Sequence, residues 1–415
     1  MTEKVPTLCL NMIVKNESKI ITRLLESVSS IIDCYCICDT GSTDNTIDII
    51  SDFFLKKDIP GKIIKEPFRN FCHNRNVALK ACSDMSDYVL LLDADMIFEI
   101  RNFNKKMLVK DNYCIKQGNE LFFYDNMRIL KNNGLYKYVG VTHEYIDSPR
   151  GSNFGYFDKN ILFINDIGDG GSKSDKYIRD IKLLENGLID EPDNNRYHFY
   201  LANSYKDGGF PDKAIEFYKK ILNLNSWNQE KYISCMKLYD LYNDKNEKDK
   251  AVFYLVKSHK YDNDRIEGIY KLVQYYCVED MNDVAYAYYS LVQNYFENNF
   301  LNETFEGKLF VNVIDYNFYL PYYMIIVSWN VKKYETGIKM YRILFEKKAT
   351  GVTQWWINNL FTNLQFFIDK VSDDSFMRNC EEYINFLFKN NYTIDIELLK
   401  KYENFGIKIS NLNIK

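Results

Sequence analysis

Apolar residues in the first hundred positions follow two patterns that alternate along the chain. TLCLNMIV, CYCICD and DYVLLLDADM are short continuous apolar runs, which are typical of buried strands. Between the first two lies IITRLLESVSSII, whose apolar residues are three and four positions apart, as on one face of a helix. Strand and helix in alternation predict a parallel α/β sheet covered by helices. Because such sheets bind ligands beyond the carboxyl ends of their strands, acids that end these strands are candidate binding residues.

The pattern changes after about Lys173, where glycine becomes rare, tyrosine becomes frequent and helical spacing continues to the end of the sequence. Residues 194–222 predict a pair of helices separated by glycines. Ala214 in the second of these helices has counterparts at Ala251 and Ala285, at spacings close to the period of about 34 residues of tetratricopeptide repeats. We therefore predict an α/β domain at residues 1–175 and an all-α domain of helical hairpins at residues 176–415.

Composition and charge exclude several classes of function. The 415 residues carry a net charge of -4, which leaves no basic field for a general nucleic-acid binder. No apolar run reaches the length of about 18 residues that a membrane span needs, and no secretory signal opens the sequence, so we expect a cytoplasmic protein without a membrane span. The ten cysteines include no Cys-x-x-Cys pair, and we expect the alternating Cys34, Cys36 and Cys38 to be small buried residues rather than zinc ligands.

Acids stand where two of the predicted strands end. Asp93 and Asp95 form an Asp-x-Asp motif that can share one hard divalent cation, Mn²⁺ or Mg²⁺, which can bridge the phosphates of a nucleotide diphosphate. Such a metal acts as a Lewis acid on the charge that develops on a diphosphate leaving group. Asp39 ends the second strand, where a carboxylate can accept a hydrogen bond from a base or a ribose hydroxyl. The alternatives are solvated acids at a strand end and a helix-capping turn, for which residues 42–44 suffice.

Four segments occur in a fixed order along this part of the chain: LCLNMIVKNE, CDTGSTDNT, the Arg75-Asn76 pair and DYVLLLDAD. Together they closely resemble the family 2 glycosyltransferases of the GT-A fold, and in particular the subgroup whose short catalytic domain precedes tetratricopeptide-like repeats. The resemblance implies a Rossmann-like, mainly parallel catalytic sheet. It also implies a nucleotide contact for Asp39, donor and metal binding for Asp93, metal binding for Asp95 and a place near the donor for Arg75.

The later segment MRILKNNGLYKYVGVTHEYI resembles the arginine, the aromatic-rich turn and the His-Glu pair of the same subgroup. This resemblance places Arg128 near the acceptor or the phosphates, makes His143 a candidate third metal ligand, which suits Mn²⁺, and makes Glu144 the candidate general base. An inverting transfer needs such a carboxylate on the face opposite the leaving diphosphate. Strand alternation would point His143 and Glu144 to opposite faces, so both can serve one site only if the segment is a loop.

A glycine-rich segment, residues 166–171, is followed by Lys173. Its glycines and the lysine could close over a diphosphate and supply positive charge, which makes Lys173 a candidate donor-binding residue. Asp169 in this segment is an alternative general base, and a flexible domain linker is the other interpretation.

These observations predict an inverting, metal-assisted glycosyltransferase of hexosyl or N-acetylhexosaminyl type that uses a nucleotide-diphosphate sugar, with a UDP-sugar as the first expectation. The acceptor (a glycan, a lipid-linked group or a protein) is open, and the helical half is expected to bind the acceptor or a protein partner. One alternative is a catalytically inactive nucleotide-binding scaffold whose repeats bind a protein partner. Another is a nucleotidyltransferase, which would normally need a glycine-rich basic loop after the first strand, where MIVKNESK has no glycine.

Overall fold

A computed structural model of the chain describes residues 4–119, 123–170, 176–299, 305, 307–371 and 373–407. It divides into two compact units, Met1–Phe217 and Tyr218–Lys415. All strands in the described ranges lie in the first unit, and the second unit is helical.

The first unit is built on one large mixed sheet. Its strands are β1 (Leu8–Val14), β2 (Cys34–Asp39), β3 (Gly61–Lys65), β4 (Tyr88–Leu91), β5 (Met96–Ile100), β6 (Asn112–Gly118), β7 (Phe123–Lys131), β10 (Phe154–Phe157) and β11 (Leu162–Asp166). They are ordered β3-β2-β1-β4-β7-β6-β11-β5, and β10 pairs with β6. A separate hairpin joins β8 (Lys137–Val139) to β9 (Tyr145–Asp147).

Parallel pairs form the N-terminal half of the sheet, because β1 pairs in parallel with β2 and β4, and β2 with β3. Antiparallel pairing of β7 with β4 and β6, and of β5 with β11, extends the sheet on the other side. The predicted α/β fold with a mainly parallel sheet is therefore confirmed.

Helices that pack on this sheet explain its continuous apolar strands. They are α1 (Ile21–Val28), α2 (Thr46–Lys57) and α3 (Phe71–Ala81). The spacing seen in the sequence is the buried face of α1, formed by Ile21, Leu24, Leu25 and Val28. Every residue of β4 is buried, as expected for a strand covered on both faces. The three alternating cysteines of β2 are buried, as predicted, and are free thiols.

Helices make up the rest of the described chain. They are α4 (Lys176–Asp190), α5 (Asn195–Asp207), α6 (Pro211–Asn223), α7 (Asn228–Asp244), α8 (Lys248–Ser258), α9 (Glu267–Val278), α10 (Asn282–Ser290), α11 (Gln293–Asn299), α12 (Leu320–Asn330), α13 (Tyr334–Lys347), α14 (Gln354–Leu364), α15 (Asp374–Lys389) and α16 (Ile396–Glu403). In the second unit α7 packs with α8, α9 with α10 and α12 with α13. Ala251 and Ala285, two of the predicted repeat positions, are buried in α8 and α10. The predicted all-α region of helical hairpins is confirmed.

Two different boundaries separate the α/β part from the helical part. Strands give way to helices between Asp166 and Lys176, where the sequence predicts the domain boundary after residue 175. The division between the compact units lies later, after Phe217, so that α4 and α5 belong to the unit that contains the sheet. The backbone of α4 packs closely against this unit at Gly187. A Cβ added to Gly187 would lie 3.2 Å from Cγ2 of Val141, in the loop after β8. No helix in the described part of the chain is both long and apolar enough to cross a membrane.

Candidate active site

Asp39 is the last residue of β2 and lies beside Val14, the last residue of β1. It is buried, with 4% of its surface exposed. Its Oδ1 accepts a hydrogen bond from the backbone N–H of Ser42 at 3.0 Å, so the carboxylate closes the turn that leads into α2. Asp44 supports the start of that helix, because its Oδ1 accepts from the N–H of Thr46 at 3.1 Å. A nucleotide contact by Asp39 stays a prediction.

Side chains join the loops that follow β1 and β2. Asn16, which has a left-handed φ of 57°, donates its backbone N–H to Oγ of Ser42 at 3.0 Å and accepts from the N–H of Thr43 at 2.7 Å. The N–H of Glu17 donates to Oγ1 of Thr46 at 2.8 Å. These reciprocal bonds fix the two loops to each other, so the turn that contains Asp39 is held in place from both sides.

Arg75 of α3 connects two of the predicted site residues. Its Nη2 donates to Oδ1 of Asp93, just beyond β4, at 2.6 Å, and its Nε donates to Oε1 of Glu144 at 2.5 Å. The guanidinium carbon lies 5.5 Å from the ring centre of Tyr138, and the Arg75 side chain is 11% exposed. One buried guanidinium therefore joins the carboxylate predicted to bind the donor to the carboxylate predicted to be the general base.

Arg128 of β7 approaches the second oxygen of Asp93, with 3.6 Å between its Nη1 and Oδ2. Its Nε and Nη2 donate to Oε1 of Gln117 at 3.0 and 2.7 Å. Gln117 in turn donates from Nε2 to Oδ2 of Asp166 at 2.8 Å. Gln117 thus orients Arg128 across the β6–β7 pair. Sequence reasoning did not select Gln117, because nothing in the local pattern distinguishes it from other polar residues near strand ends.

The two carboxylates of the Asp-x-Asp motif lie in opposite electrostatic surroundings. Burial by itself raises the pKa of a carboxyl group. At Asp93 the attraction of Arg75 and Arg128 outweighs burial, and the pKa is lowered below the ordinary value. At Asp95 burial raises the pKa, and repulsion from Asp93 and Asp166 raises it further. The surroundings therefore favour the negative charge of Asp93 and disfavour that of Asp95.

The charges around Asp95 fit a divalent cation, because a bound cation would relieve the repulsion among neighbouring carboxylates. The backbone of Gly170 passes close to this side chain, where an added Cβ would lie 3.2 Å from Oδ2 of Asp95. In the ranges that the structure describes, no three His, Cys, Asp or Glu side chains are arranged to hold a metal. Asp95 therefore fits as a protein ligand whose partners would include phosphate and water oxygens, as hard cations prefer.

His143 lies in a different environment from the one predicted. Residues 140–144 form a loop between β8 and β9, yet His143 and Glu144 still have different neighbours. The imidazole stacks on Tyr200 with 4.2 Å between ring centres, and its Nε2 is 3.9 Å from Oδ2 of Asp180. Burial lowers the pKa of His143 to about 4, although Asp180 acts in the opposite direction. The structure does not assemble His143 with Asp93 and Asp95 into a three-residue metal site.

Asp169, the alternative base, forms a two-point ion pair with Arg23 of α1, at 2.6 and 2.9 Å. This contact also raises the pKa of Arg23, to which the charge of Asp95 adds. The glycine-rich segment is thus attached to α1 and passes Asp95. Asp169 and Glu144 are each held by an arginine, but only the arginine of Glu144 also binds Asp93. Lys173 lies outside the described residues.

The fold and these charges define a class of protein: an α/β domain that gathers acids and arginines at the carboxyl ends of a mainly parallel sheet, followed by helical hairpins. Residues 9–108 match the model of glycosyl transferase family 2. This match covers the segments whose motifs resemble the same family.

Comparison with curated proteins identifies two relatives. Over 236 residues the chain is 28% identical to the SPbeta prophage-derived glycosyltransferase SunS of Bacillus subtilis (strain 168) and to the glycosyltransferase SunS of Bacillus phage SPbeta. Each match covers 52% of this chain and 54% of the relative, so the chain spans about half the length of the curated relatives it matches.

Among solved structures, the chain is similar to S. aureus TarS 1-349 in complex with UDP, at 15% identity and a TM-score of 0.31, covering 70% of this chain and 92% of that one. It is also similar to YrrB, a tetratricopeptide-repeat protein, at 12% identity and a TM-score of 0.34, covering 53% and 97%.

Proposed function

We propose that the chain is an inverting glycosyltransferase that moves a hexosyl or N-acetylhexosaminyl group from a nucleotide-diphosphate sugar, first of all a UDP-sugar, to an acceptor hydroxyl. The match of residues 9–108 to the model of glycosyl transferase family 2 supports the transfer reaction. The two curated relatives are both named as glycosyltransferases. The acceptor class (a glycan, a lipid-linked group or a protein) is left to experiment.

One observation carries this proposal: the continuous chain of charges from Glu144 through Arg75 and Asp93 to Arg128. Glycosyl transfer needs positive charge near a diphosphate and a carboxylate near the acceptor hydroxyl, and both must be held in a fixed relation. Here a single guanidinium holds the two carboxylates. A scaffold that only bound a nucleotide would have no chemical need to fix Glu144 on the same arginine as Asp93.

Glu144 is the residue we assign as general base. Its Oε1 is fixed by Arg75, whereas its Oε2 has no hydrogen-bond partner within the described chain. We therefore assign Oε2 to the proton of the acceptor hydroxyl. Asp39 is assigned to the nucleotide, and Arg75, Asp93 and Arg128 to the donor.

Asp95 would hold the cation, Mn²⁺ or Mg²⁺. When bound, such a metal stabilises the developing charge of the diphosphate leaving group as a Lewis acid. Arg128, oriented by Gln117, adds fixed positive charge on the other side of Asp93. Lys173 stays a candidate for further contact with the phosphates.

Incubation of the full chain with UDP-glucose and UDP-N-acetylglucosamine in the presence of Mn²⁺ tests the proposal, because slow transfer to water releases UDP without a known acceptor. We expect UDP release that EDTA stops, together with a rise of the melting temperature by UDP and Mn²⁺. At a UDP concentration 100 times the dissociation constant, binding adds about 2.7 kcal/mol to the free energy of unfolding. UDP binding without release of UDP from any UDP-sugar, and without release of GDP from any GDP-sugar, would favour the inactive scaffold. Pyrophosphate formation from UTP and a sugar phosphate would favour a nucleotidyltransferase.

A further inference from the structure

The connection that carries Glu144 has an unusual backbone. It comprises residues 140–144, which we call the His143 turn, and it joins β8 to β9. Gly140 has a φ of 109° and His143 a φ of 50°, so two left-handed residues lie within this turn. Glycine adopts such angles freely because it has no Cβ, whereas the Cβ of a histidine makes a left-handed backbone strained. A strained residue of this kind persists only where its surroundings hold it in place.

Helix α5 supplies two of these holding contacts. The ring of Tyr200 stacks on the imidazole of His143 with 4.2 Å between ring centres and 10° between planes. Nη2 of Arg196 donates to the backbone carbonyl of His143 at 3.2 Å. The guanidinium of Arg196 also lies 4.8 Å from the ring centre of Tyr200 and 5.1 Å from that of Tyr145, on the other side of the turn.

The α3 and α4 helices hold the preceding part of the turn. The N–H of Phe71 donates to the carbonyl of Val141 at 3.2 Å, and Oγ1 of Thr142 donates to Oδ1 of Asp180 at 3.4 Å. Val141 and Thr142 are thus held by α3 and α4, and Tyr197 of α5 adds a hydrogen bond with the backbone of Val141. Tyr200 and Arg196 of α5 contact His143 itself, the left-handed residue that directly precedes Glu144.

We propose that α5 is a positioning element of the candidate active site: Tyr200 and Arg196 hold the left-handed conformation of His143, and this conformation directs Glu144 onto Arg75. The proposal rests on the proposed function, because it matters for catalysis only if Glu144 is the base. It also gives the first helical pair a role inside the catalytic unit, in addition to any role in binding a partner. Tyr200 acts through His143 and is a positioning residue, not a catalytic one.

The test compares Tyr200→Leu with Tyr205→Leu in the full chain. Tyr205 is a buried tyrosine of the same helix that bonds Glu185 and packs on Phe210, so it serves as a matched control that does not contact the turn. The readouts are UDP release from UDP-glucose and UDP-N-acetylglucosamine with Mn²⁺, the dissociation constant of UDP, and amide hydrogen exchange of residues 141–145.

We expect Tyr200→Leu to lower the rate of UDP release by about 10- to 100-fold, the scale on which misplacement of a reacting group lowers a rate. The dissociation constant of UDP should stay the same, and amide exchange in the His143 turn should accelerate. Tyr200→Phe, which keeps the stacked ring, should restore the rate. Tyr205→Leu should lower the melting temperature without these local effects.

The double variant His143→Gly/Tyr200→Leu provides a rescue test of this role of Tyr200. Glycine needs no support in a left-handed conformation, so adding it to Tyr200→Leu should recover most of the lost rate. A general loss of packing would not be rescued in this way. Arg196→Met provides a second route to the same measurement if Tyr200→Leu does not fold.

The proposal is overturned if Tyr200→Leu and Tyr205→Leu change the rate and the amide exchange equally, or if His143→Gly does not rescue. A wild-type chain that releases no UDP from any sugar donor would instead contradict the proposed function. In that case accelerated exchange confined to the turn in Tyr200→Leu would still support the role of α5 in holding His143.

Discussion

The two sides of the candidate site balance their charges in opposite ways. On the arginine side, Arg75 and Arg128 surround Asp93, and the pKa of this carboxyl group is lowered despite burial. On the acidic side, Asp95 is half-buried close to Asp93 and Asp166, and its pKa is raised. The two acids of one Asp-x-Asp motif are therefore not equivalent. Two arginines compensate the charge of Asp93, whereas the neighbouring acids of Asp95 disfavour its charge.

The same division separates the two candidate bases. Glu144 belongs to the arginine side through Arg75, and Asp169 lies next to the acidic side through Arg23. The base must deprotonate an acceptor hydroxyl next to the sugar of the donor. We therefore expect Glu144 to be the base, because it shares Arg75 with Asp93, the predicted donor-binding residue. Removing single charges on each side tests whether the two sides differ in this way.

The largest expected effect is the loss of sugar transfer in Glu144→Gln. Glutamine can still accept the hydrogen bond from Arg75, but it cannot take a proton, so sugar transfer or hydrolysis should fall by about 10²- to 10⁴-fold. The affinity for UDP should remain, because proton removal contributes to the transition state and not to donor binding. UDP release and calorimetric UDP titration measure the two quantities.

Asp169→Asn is the matched control for this change, since it also removes one carboxylate charge from an arginine pair. We expect near-normal UDP release. If instead Asp169→Asn abolishes release while Glu144→Gln does not, the base belongs to the glycine-rich segment.

The second largest effect concerns turnover on the acidic side. Asp95→Asn keeps the shape of the side chain but removes its charge, and UDP release should fall by at least about 100-fold, as when one strong electrostatic contact is lost from an active site. Near-normal activity of the wild-type chain in EDTA would rule out the metal-assisted reaction altogether.

A third effect is on stability and concerns Asp93. Asp93→Asn leaves Arg75 and Arg128 short of a negative partner, and we expect a loss of about 3 kcal/mol in the free energy of unfolding, near the lower end for a broken buried ion pair. Urea unfolding in EDTA measures it. An Asp93→Asn variant as stable as the wild type would show that the two arginines do not depend on this carboxylate.

The smallest expected effect is an increase in stability, in contrast to the loss expected for Asp93→Asn. In EDTA, Asp95→Asn should melt at a higher temperature than the wild type, because it removes a charge that its surroundings disfavour. The raised pKa means that Asp95 supports the folded state at low pH, and that this support is lost as pH rises from the ordinary value of 3.8 through the raised pKa. The advantage of Asp95→Asn should therefore grow with pH, and melting curves at several pH values would check it. A constant difference would mean that Asp95 titrates normally.

Much of the fold and part of the site followed from local sequence patterns. Continuous apolar runs identified β1, β2 and β4, since helices bury both faces of this half of the sheet. Acids directly after two of these strands then had to lie at one edge of the sheet. The contact between Arg75 and Asp93 could be expected, because the family resemblance places both residues near the donor.

Other features depend on contacts between distant segments and could not be predicted. Gln117 acquires its role only because β6 pairs with β7, and Arg23 only because the glycine-rich segment meets α1. The surroundings of His143 could not be predicted either, because a left-handed φ and a tyrosine more than fifty residues later decide where its ring lies.

Calorimetric titration of UDP into the full chain, with Mn²⁺ and with EDTA, tests whether Asp95 is the cation's ligand in a donor site organised by Arg75 and Asp93. For the wild type we predict that Mn²⁺ tightens UDP binding by about tenfold or more, equivalent to about 1.4 kcal/mol. For Asp95→Asn we predict weak binding that Mn²⁺ no longer improves. Absence of UDP binding to the wild type, or a gain from Mn²⁺ that persists undiminished in Asp95→Asn, would contradict this account.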